Sequence, residues 1–76
     1  MNVQEAEKVY SRLEKEGGNI LCIVSTSNIQ GEGVIVNAEN YYNPNHFITF
    51  FIKMPGRKKA VEIPCFGVME KKEGDK

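Results

Sequence analysis

The first sixteen residues carry apolar side chains at steps of three and four positions, a spacing that places them on one face of an α-helix. These residues are Val3, Ala6, Val9, Tyr10 and Leu13. Asn2 is a suitable N-cap, and Glu5 stands three residues after it, as a capping box requires. Gly17 and Gly18 supply the positive φ that ends a helix. The pattern predicts one amphipathic helix over residues 3–16.

Four later stretches have the alternating or continuous apolar residues of β-strands. They are residues 19–25, 33–37, 47–54 and 61–69. The strands at 19–25 and 47–54 are apolar on both faces, which is typical of interior strands that are covered from both sides. Pro64 has no backbone donor, so the last strand either lies at an edge of the sheet or is broken into two short pieces.

This order of elements predicts the α+β class, with an N-terminal helix followed by a four-stranded, mainly antiparallel sheet. The sheet is expected to be either open or curled into a small barrel. At 76 residues the chain forms one domain, which we assign to residues 1–69, followed by a flexible charged tail over 70–76. One helix covers one face of a sheet, whereas two strands are apolar on both faces. We therefore expect a homodimer in which a second copy covers the other face.

Charge and composition restrict the class of protein further. Ten basic side chains balance ten acidic ones, and the absence of a net field disfavours nucleic acid as a partner. The apolar runs are far shorter than the roughly 20 residues that a membrane span needs, so no membrane association is expected. No signal peptide precedes the two cysteines, and we expect a cytoplasmic protein in which Cys22 and Cys65 are reduced.

Two segments are candidate binding sites. The polar stretch 38–46 is predicted to be a loop, and it carries Tyr41, Tyr42 and the single histidine, His46. The other segment is the turn that follows the third strand, where three cations stand beside a glycine. These cations are Arg57, Lys58 and Lys59. Such a turn suits a phosphate or a carboxylate, although charged residues at strand ends also serve only to keep a protein in solution.

Catalytic and metal-binding patterns are absent from the sequence. Cys22, Cys65 and His46 have suitable ligand atoms but lack the close spacing of a metal site, and no metal is expected. Both cysteines stand among apolar strand residues, where cysteine behaves as a small buried hydrophobe. No set of residues suggests nucleophilic or acid–base catalysis, and we expect a binding module rather than an enzyme.

Several segments resemble the first half of the flavin-binding split-barrel family related to pyridoxamine-phosphate oxidase. They are LEKEGGNILCIVSTS, FITFFIKMPGRKKAVEIP and CFGVM, which together span most of residues 13–69. Members of that family are dimers that hold flavin mononucleotide (FMN) at the subunit interface. The resemblance implies that Arg57, Lys58 or Lys59 faces the phosphate of the cofactor. One departure is Gly31-Glu32-Gly33, where the family usually has Gly-x-Pro.

Three functions follow from these observations. The first is a small homodimeric binding module, without a cofactor, that recognises a protein or a small anionic ligand through the two candidate segments. The second is a truncated flavin-binding split-barrel protein. The third is a single-stranded nucleic-acid binder that stacks bases on Phe and Tyr rings. Because the third strand separates the loop from the basic turn, we expect the two segments to form one site only across a dimer.

Overall fold

A computed structural model describes residues 1–17, 19–42 and 45–71 of the chain. It contains one helix, five antiparallel strands and a short 3₁₀ turn. The elements are α1 (Val3–Glu16), β1 (Ile20–Ser25), β2 (Gln30–Tyr41), β3 (Phe47–Lys53), β4 (Val61–Pro64), the 3₁₀ turn (Cys65–Gly67) and β5 (Val68–Glu70). The α+β class is confirmed, but the sheet has five strands rather than the four that were predicted.

The capping residues define both ends of α1. The backbone N–H of Glu5 donates to Asn2 Oδ1 at 2.8 Å, and the N–H of Asn2 donates to Glu5 Oε1 at 3.1 Å. This is the predicted capping box. At the other end Gly17 has a φ of 79°, and its N–H donates to the carbonyl of Leu13 at 2.9 Å. Gly18, also predicted to end the helix, lies outside the described residues.

The strand β2 connects the two parts of the sheet, whose order is β4-β3-β2-β1-β5. Its first half pairs with β1, from Gln30 to Ile35, and its second half pairs with β3, up to Tyr41. A bulge at Val36 separates the halves, and bulges of this kind bend a strand. The prediction of a 33–37 strand followed by a loop at 38–46 is therefore wrong for residues 38–41, since these residues pair with β3.

The final predicted strand is broken at Pro64 into β4 and β5, which lie at opposite edges of the sheet. In a flat sheet these edges would be about 19 Å apart, because four strand spacings of about 4.8 Å separate them. The four steps from Pro64 to Val68 span at most about 15 Å. The sheet must therefore curl, but no pairing of described residues joins β4 to β5, and the barrel does not close.

The core lies inside this curl and is covered by α1. Its largest fully buried side chains are Phe50, Ile35, Ile48, Ile52, Val24, Cys22 and Cys65. Ala6 and Val9 of α1 pack against them. At Gly33 a Cβ would lie only 2.6 Å from Ile52 Cγ2, so β3 side chains pack directly on the β2 backbone. Glycine is required at this point of close approach.

The outer face of the sheet differs from the prediction for the interior strands. Ile20, Cys22 and Val24 of β1 are buried, whereas Leu21 is half-buried and Ile23 is exposed. The strand is interior in the sheet order, but its outer face is not covered by the described part of this chain. This is the face that a second copy was expected to cover.

Residues at the start of the predicted tail belong to the domain. Glu70 is part of β5, and the backbone N–H of Lys71 donates to the carbonyl of Leu21 at 2.9 Å. The remainder of the predicted tail, 72–76, lies outside the described residues.

Candidate functional site

Exposed and half-buried apolar side chains lie along the outside of the sheet and form a surface that we call the outer band. Its members are Ile23, Met69, Phe66, Phe47 and Tyr41. Ile23 and Met69 are directly opposite each other in the β1–β5 pair, and Phe66 lines the same groove beside β5. Met69 is 64% exposed and Phe66 is 65% exposed. Side chains of this size are rarely left in solvent together on a small domain, and such a surface suggests an interaction site.

Three aromatic rings form one end of the outer band. The centroids of Phe66 and Phe47 are 6.4 Å apart, and those of Phe47 and Tyr41 are 5.4 Å apart, both pairs being tilted by about 30°. Such tilted arrangements are favourable for aromatic pairs. Phe66 comes from the 3₁₀ turn, whereas Phe47 and Tyr41 are opposite each other on β3 and β2. The curl of the sheet therefore brings together rings that are distant in sequence.

Two carboxylates meet the hydroxyl of Tyr41 at the aromatic end. Tyr41 Oη lies 2.9 Å from Glu39 Oε1 and 3.0 Å from Glu62 Oε2, and Thr49 Oγ1 donates to the same Glu62 oxygen at 3.0 Å. A tyrosine hydroxyl has one proton, so it donates to only one of the two carboxylates at a time. The contacts with Glu39 and Glu62 raise the pKa of Tyr41 to about 12, because an ionised phenol beside two carboxylates is unfavourable.

Glu39 and Glu62 carry uncompensated negative charge. Among the described residues, no basic group lies within 4 Å of either carboxylate, and the ion pairs are Arg12–Glu70, Lys71–Glu32 and the His46–Glu7 contact. The aromatic end of the outer band is therefore acidic, and it suits a cationic group better than an anion.

The predicted loop residues have separate roles. Tyr42 stacks on His46 with a centroid distance of 4.8 Å and an interplanar angle of 9°. His46 Nε2 lies 2.9 Å from Asn40 Oδ1, and its Nδ1 lies 3.9 Å from a Glu7 oxygen. Tyr42 and His46 thus form a pair beside α1, while Tyr41 belongs to β2 and contacts the carboxylates of the outer band.

The basic turn is well defined by Pro55 and Gly56. The N–H of Arg57 donates to the carbonyl of Met54 at 3.2 Å, and Gly56 has a φ of 80°, as the third residue of a type II turn requires. The side chains of Arg57, Lys58 and Lys59 are exposed.

Lys53 adds a fourth cation to this turn, because its Nζ donates to the carbonyl of Lys58 at 2.5 Å. Within the described part of the chain no carboxylate lies within 4 Å of these four cations. They present free positive charge, but the backbone N–H of Arg57 is already used inside the turn.

The six predicted site residues do not form one site in a single copy. The loop residues precede β3 and the basic turn follows it. The six steps from Phe47 to Lys53 cover about 20 Å. The structure brings Tyr42 and His46 together, places Tyr41 with Glu39 and Glu62, and leaves Arg57, Lys58 and Lys59 at the other end of the strand.

The thiols and the acidic groups provide no visible reactive centre among the described residues. Cys22 and Cys65 are free and buried. Burial raises the pKa of Cys22 to about 11, although a hydrogen bond from the Gly33 backbone acts in the opposite direction. In the described part of the chain, no group of three or more His, Cys, Asp or Glu side chains is arranged to hold a metal ion.

The described residues also include no helix with the length and apolar character needed to cross a membrane.

Most residues of the outer band were not predicted from the sequence to form a site. Phe66 lies in a 3₁₀ turn that was not predicted, and Met69 was placed in a single long strand. The available signal was the apolar outer face of the 19–25 strand, which pointed to Ile23. Glu39 and Glu62 are 23 positions apart, and only the pairing of β2, β3 and β4 shows that they are close.

Comparisons with protein-family models, curated proteins and solved structures found no match for this chain.

Proposed function

We propose that the protein is a small homodimeric binding module whose outer band is covered by a second copy. The observation that carries this proposal is the exposure of Ile23, Phe66 and Met69 on one continuous surface. Covering apolar surface contributes about 25 cal/mol for each Å² removed from water. A 76-residue domain gains only about 3–5 kcal/mol from its own core, so this additional burial is a large fraction of its stability.

Recognition of a partner protein fits this surface better than recognition of a small anion. The band is apolar and ends at two carboxylates, Glu39 and Glu62, which repel anions. The cations Arg57, Lys58 and Lys59 lie on a turn and are all exposed. A protein surface, in contrast, makes use of both apolar and charged parts.

Sedimentation velocity over a wide range of protein concentrations tests the proposal. We expect the mass to rise from one copy to two as the concentration increases. Met69→Lys should shift this transition to higher concentration, because it places a charge in the covered surface. Val36→Lys is the matched control, since Val36 is also an exposed apolar residue, at 42%, but lies outside the outer band. A single-copy mass at every concentration would contradict the proposal.

The flavin-binding alternative stays a prediction with a simple test. If Arg57, Lys58 or Lys59 holds the phosphate of FMN, the protein should take up added FMN and keep its absorbance through gel filtration. Protein that elutes without flavin absorbance would exclude this function.

A further inference from the structure

We infer that two copies dock face to face across β3, so that Lys53 and the basic turn of each copy contact the carboxylates of Glu39 and Glu62 in the other. This inference rests on the proposed homodimer and names the surface that forms it. It commits to a second copy of this chain as the occupant of the acidic end of the outer band.

Charge complementarity within one chain is the first argument. Among the described residues, no cation lies within 4 Å of the carboxylates of Glu39 and Glu62. Likewise, no described carboxylate lies within 4 Å of the cations of Lys53, Arg57, Lys58 and Lys59. The two sets are opposite in sign. Glu39 and Glu62 flank β3 on β2 and β4, and the four cations lie at the end of β3 and in the turn after it.

A single copy does not bring Lys53 to either carboxylate. Glu62 is opposite Phe51, but its carboxylate lies against Thr49 Oγ1 and Tyr41 Oη, whereas Lys53 Nζ donates to the Lys58 carbonyl. Glu39 is directly opposite Thr49 in the β2–β3 pair. Lys53 is four residues further along β3, which corresponds to about 14 Å. That separation exceeds a Debye length of about 8 Å at physiological ionic strength, so the attraction inside one copy is largely screened.

A twofold axis through the outer face of β3 removes this separation. Phe47, Thr49, Phe51 and Lys53 alternate with the core residues and therefore share that face. If the axis passes beside the half-buried Phe51, the two β3 strands run antiparallel across the interface. A residue of one copy then faces the residue of the other copy that lies the same number of positions from Phe51 on the opposite side. Lys53 of one copy then faces Thr49 of the other, with Glu39 and Glu62 on either side.

The same axis accounts for the apolar residues. The Phe51 side chains of the two copies meet at the centre, and the rings of Phe47 and Tyr41 lie under the basic turn of the other copy. Cations bind favourably over aromatic faces. An isologous interface repeats each contact, so every charge pair occurs twice and its effect on association is doubled.

Charge reversal provides the test, with the dissociation constant of the dimer as the measurement. Glu39→Lys and Lys53→Glu each place like charges together at both ends of the interface. We expect each variant to raise the dissociation constant about tenfold or more. In the double variant the pair between positions 39 and 53 has opposite charges again, while Glu62 keeps its sign. Its dissociation constant should therefore be well below that of Lys53→Glu alone, and its increase well below the product of the two single increases.

Two controls keep the test specific. Glu14→Lys and Lys15→Glu make the same changes of charge at exposed positions of α1, which packs on the core side of the sheet and not on the outer face of β3. Both should leave the dissociation constant unchanged. Circular dichroism melts of each variant show whether the fold is retained.

The outcomes separate this inference from the proposed function. A wild-type dimer that is unaffected by both single variants, or a double variant whose increase in dissociation constant equals the product of the two single increases, would overturn the inference but leave the homodimer. A wild type that stays a single copy at all concentrations would overturn both.

Discussion

Truncation of Phe66 is the sharpest test of the outer band. Phe66 is 65% exposed in the single copy, and its ring makes a tilted contact with Phe47. Phe66→Ala should therefore have a small effect on the fold of one copy and a large effect on association. We expect a weaker dimer with nearly unchanged unfolding of the monomer.

The magnitude follows from the exposed area of the ring. A phenylalanine buries about 150–250 Å² when it is fully covered. The exposed 65% therefore corresponds to about 130 Å², or about 3 kcal/mol at 25 cal/mol for each Å². This value is an upper bound, because association also orders side chains. With two copies of Phe66 in a dimer, half of the bound still gives about 3 kcal/mol, which is more than a 100-fold change in dissociation constant.

The effect on a single copy is much smaller. The contact between Phe66 and Phe47 is one aromatic pair, and such pairs contribute about 0.5–1.5 kcal/mol. Urea unfolding at a concentration well below the dissociation constant measures this contribution alone. Sedimentation at higher concentration measures association, so the two effects are obtained separately.

Val36→Ala is the matched control for Phe66→Ala, because Val36 is an exposed apolar side chain at the bulge of β2. It should leave the dissociation constant unchanged. If Phe66→Ala destabilised the monomer by 3 kcal/mol or more, the ring would be part of the fold rather than of an interface. If it changed neither property, the outer band would not be the surface that a second copy covers.

Three further predictions address the interior and the Tyr41 network. At pH 8 Cys22 should react with thiol reagents about a hundredfold more slowly than a thiol of pKa 9.0, since its pKa is about 11; rapid labelling without denaturant would contradict its burial. Gly33→Ala should lower the free energy of unfolding by about 1–3 kcal/mol, because the new Cβ would lie 2.6 Å from Ile52 Cγ2 and 2.7 Å from Met54 Sδ; an unchanged urea midpoint would show that β3 does not pack on β2 in this way. One tyrosine should ionise near pH 12 rather than 10 in an ultraviolet titration, and Tyr41→Phe should remove that step. Because the pKa of Tyr41 is raised in the folded state, its contribution to stability is complete below pH 10 and is lost as the pH rises through 12.

The helix and the antiparallel pairing were accessible from the sequence because both depend on local patterns. The capping box of Asn2 and Glu5 and the glycine after residue 16 are sufficient to define α1. The apolar residues of 47–54 likewise identify β3, although they do not show which of its two faces is buried. In these cases the signal lies in the segment itself, and the surrounding structure agrees with it.

The length of β2 was not accessible in the same way. Residues 38–41 are polar or aromatic and were interpreted as a loop, but Ala38, Glu39 and Tyr41 pair with Phe50, Thr49 and Phe47. The strong strand pattern belongs to β3, and β2 extends through residues 38–41 because β3 provides a pairing partner there. Strand propensity depends on such neighbours more than on the residue itself.

The break at Pro64 was predicted as one of two alternatives, and the structure shows a broken strand whose pieces both lie at edges. What the sequence did not reveal is that β5 crosses to the far edge of the sheet. That crossing creates the outer band, because it brings Phe66 to Phe47 and Met69 to Ile23. A site made by long-range topology has no local signature.

The two faces of β3 have different roles: one packs in the core, and the other belongs to the proposed interface. Ile48, Phe50 and Ile52 point into the core and are fully buried, so substitutions there should act on the free energy of unfolding. Phe47 and Phe51 alternate with them on the outer face and are only half-buried. Both sets belong to one strand, and the single copy leaves the two outer phenylalanines partly in solvent. The fold of one copy does not explain these outer residues. The proposed second copy would cover them together with Glu39, Glu62 and Lys53, which have no oppositely charged group within 4 Å among the described residues.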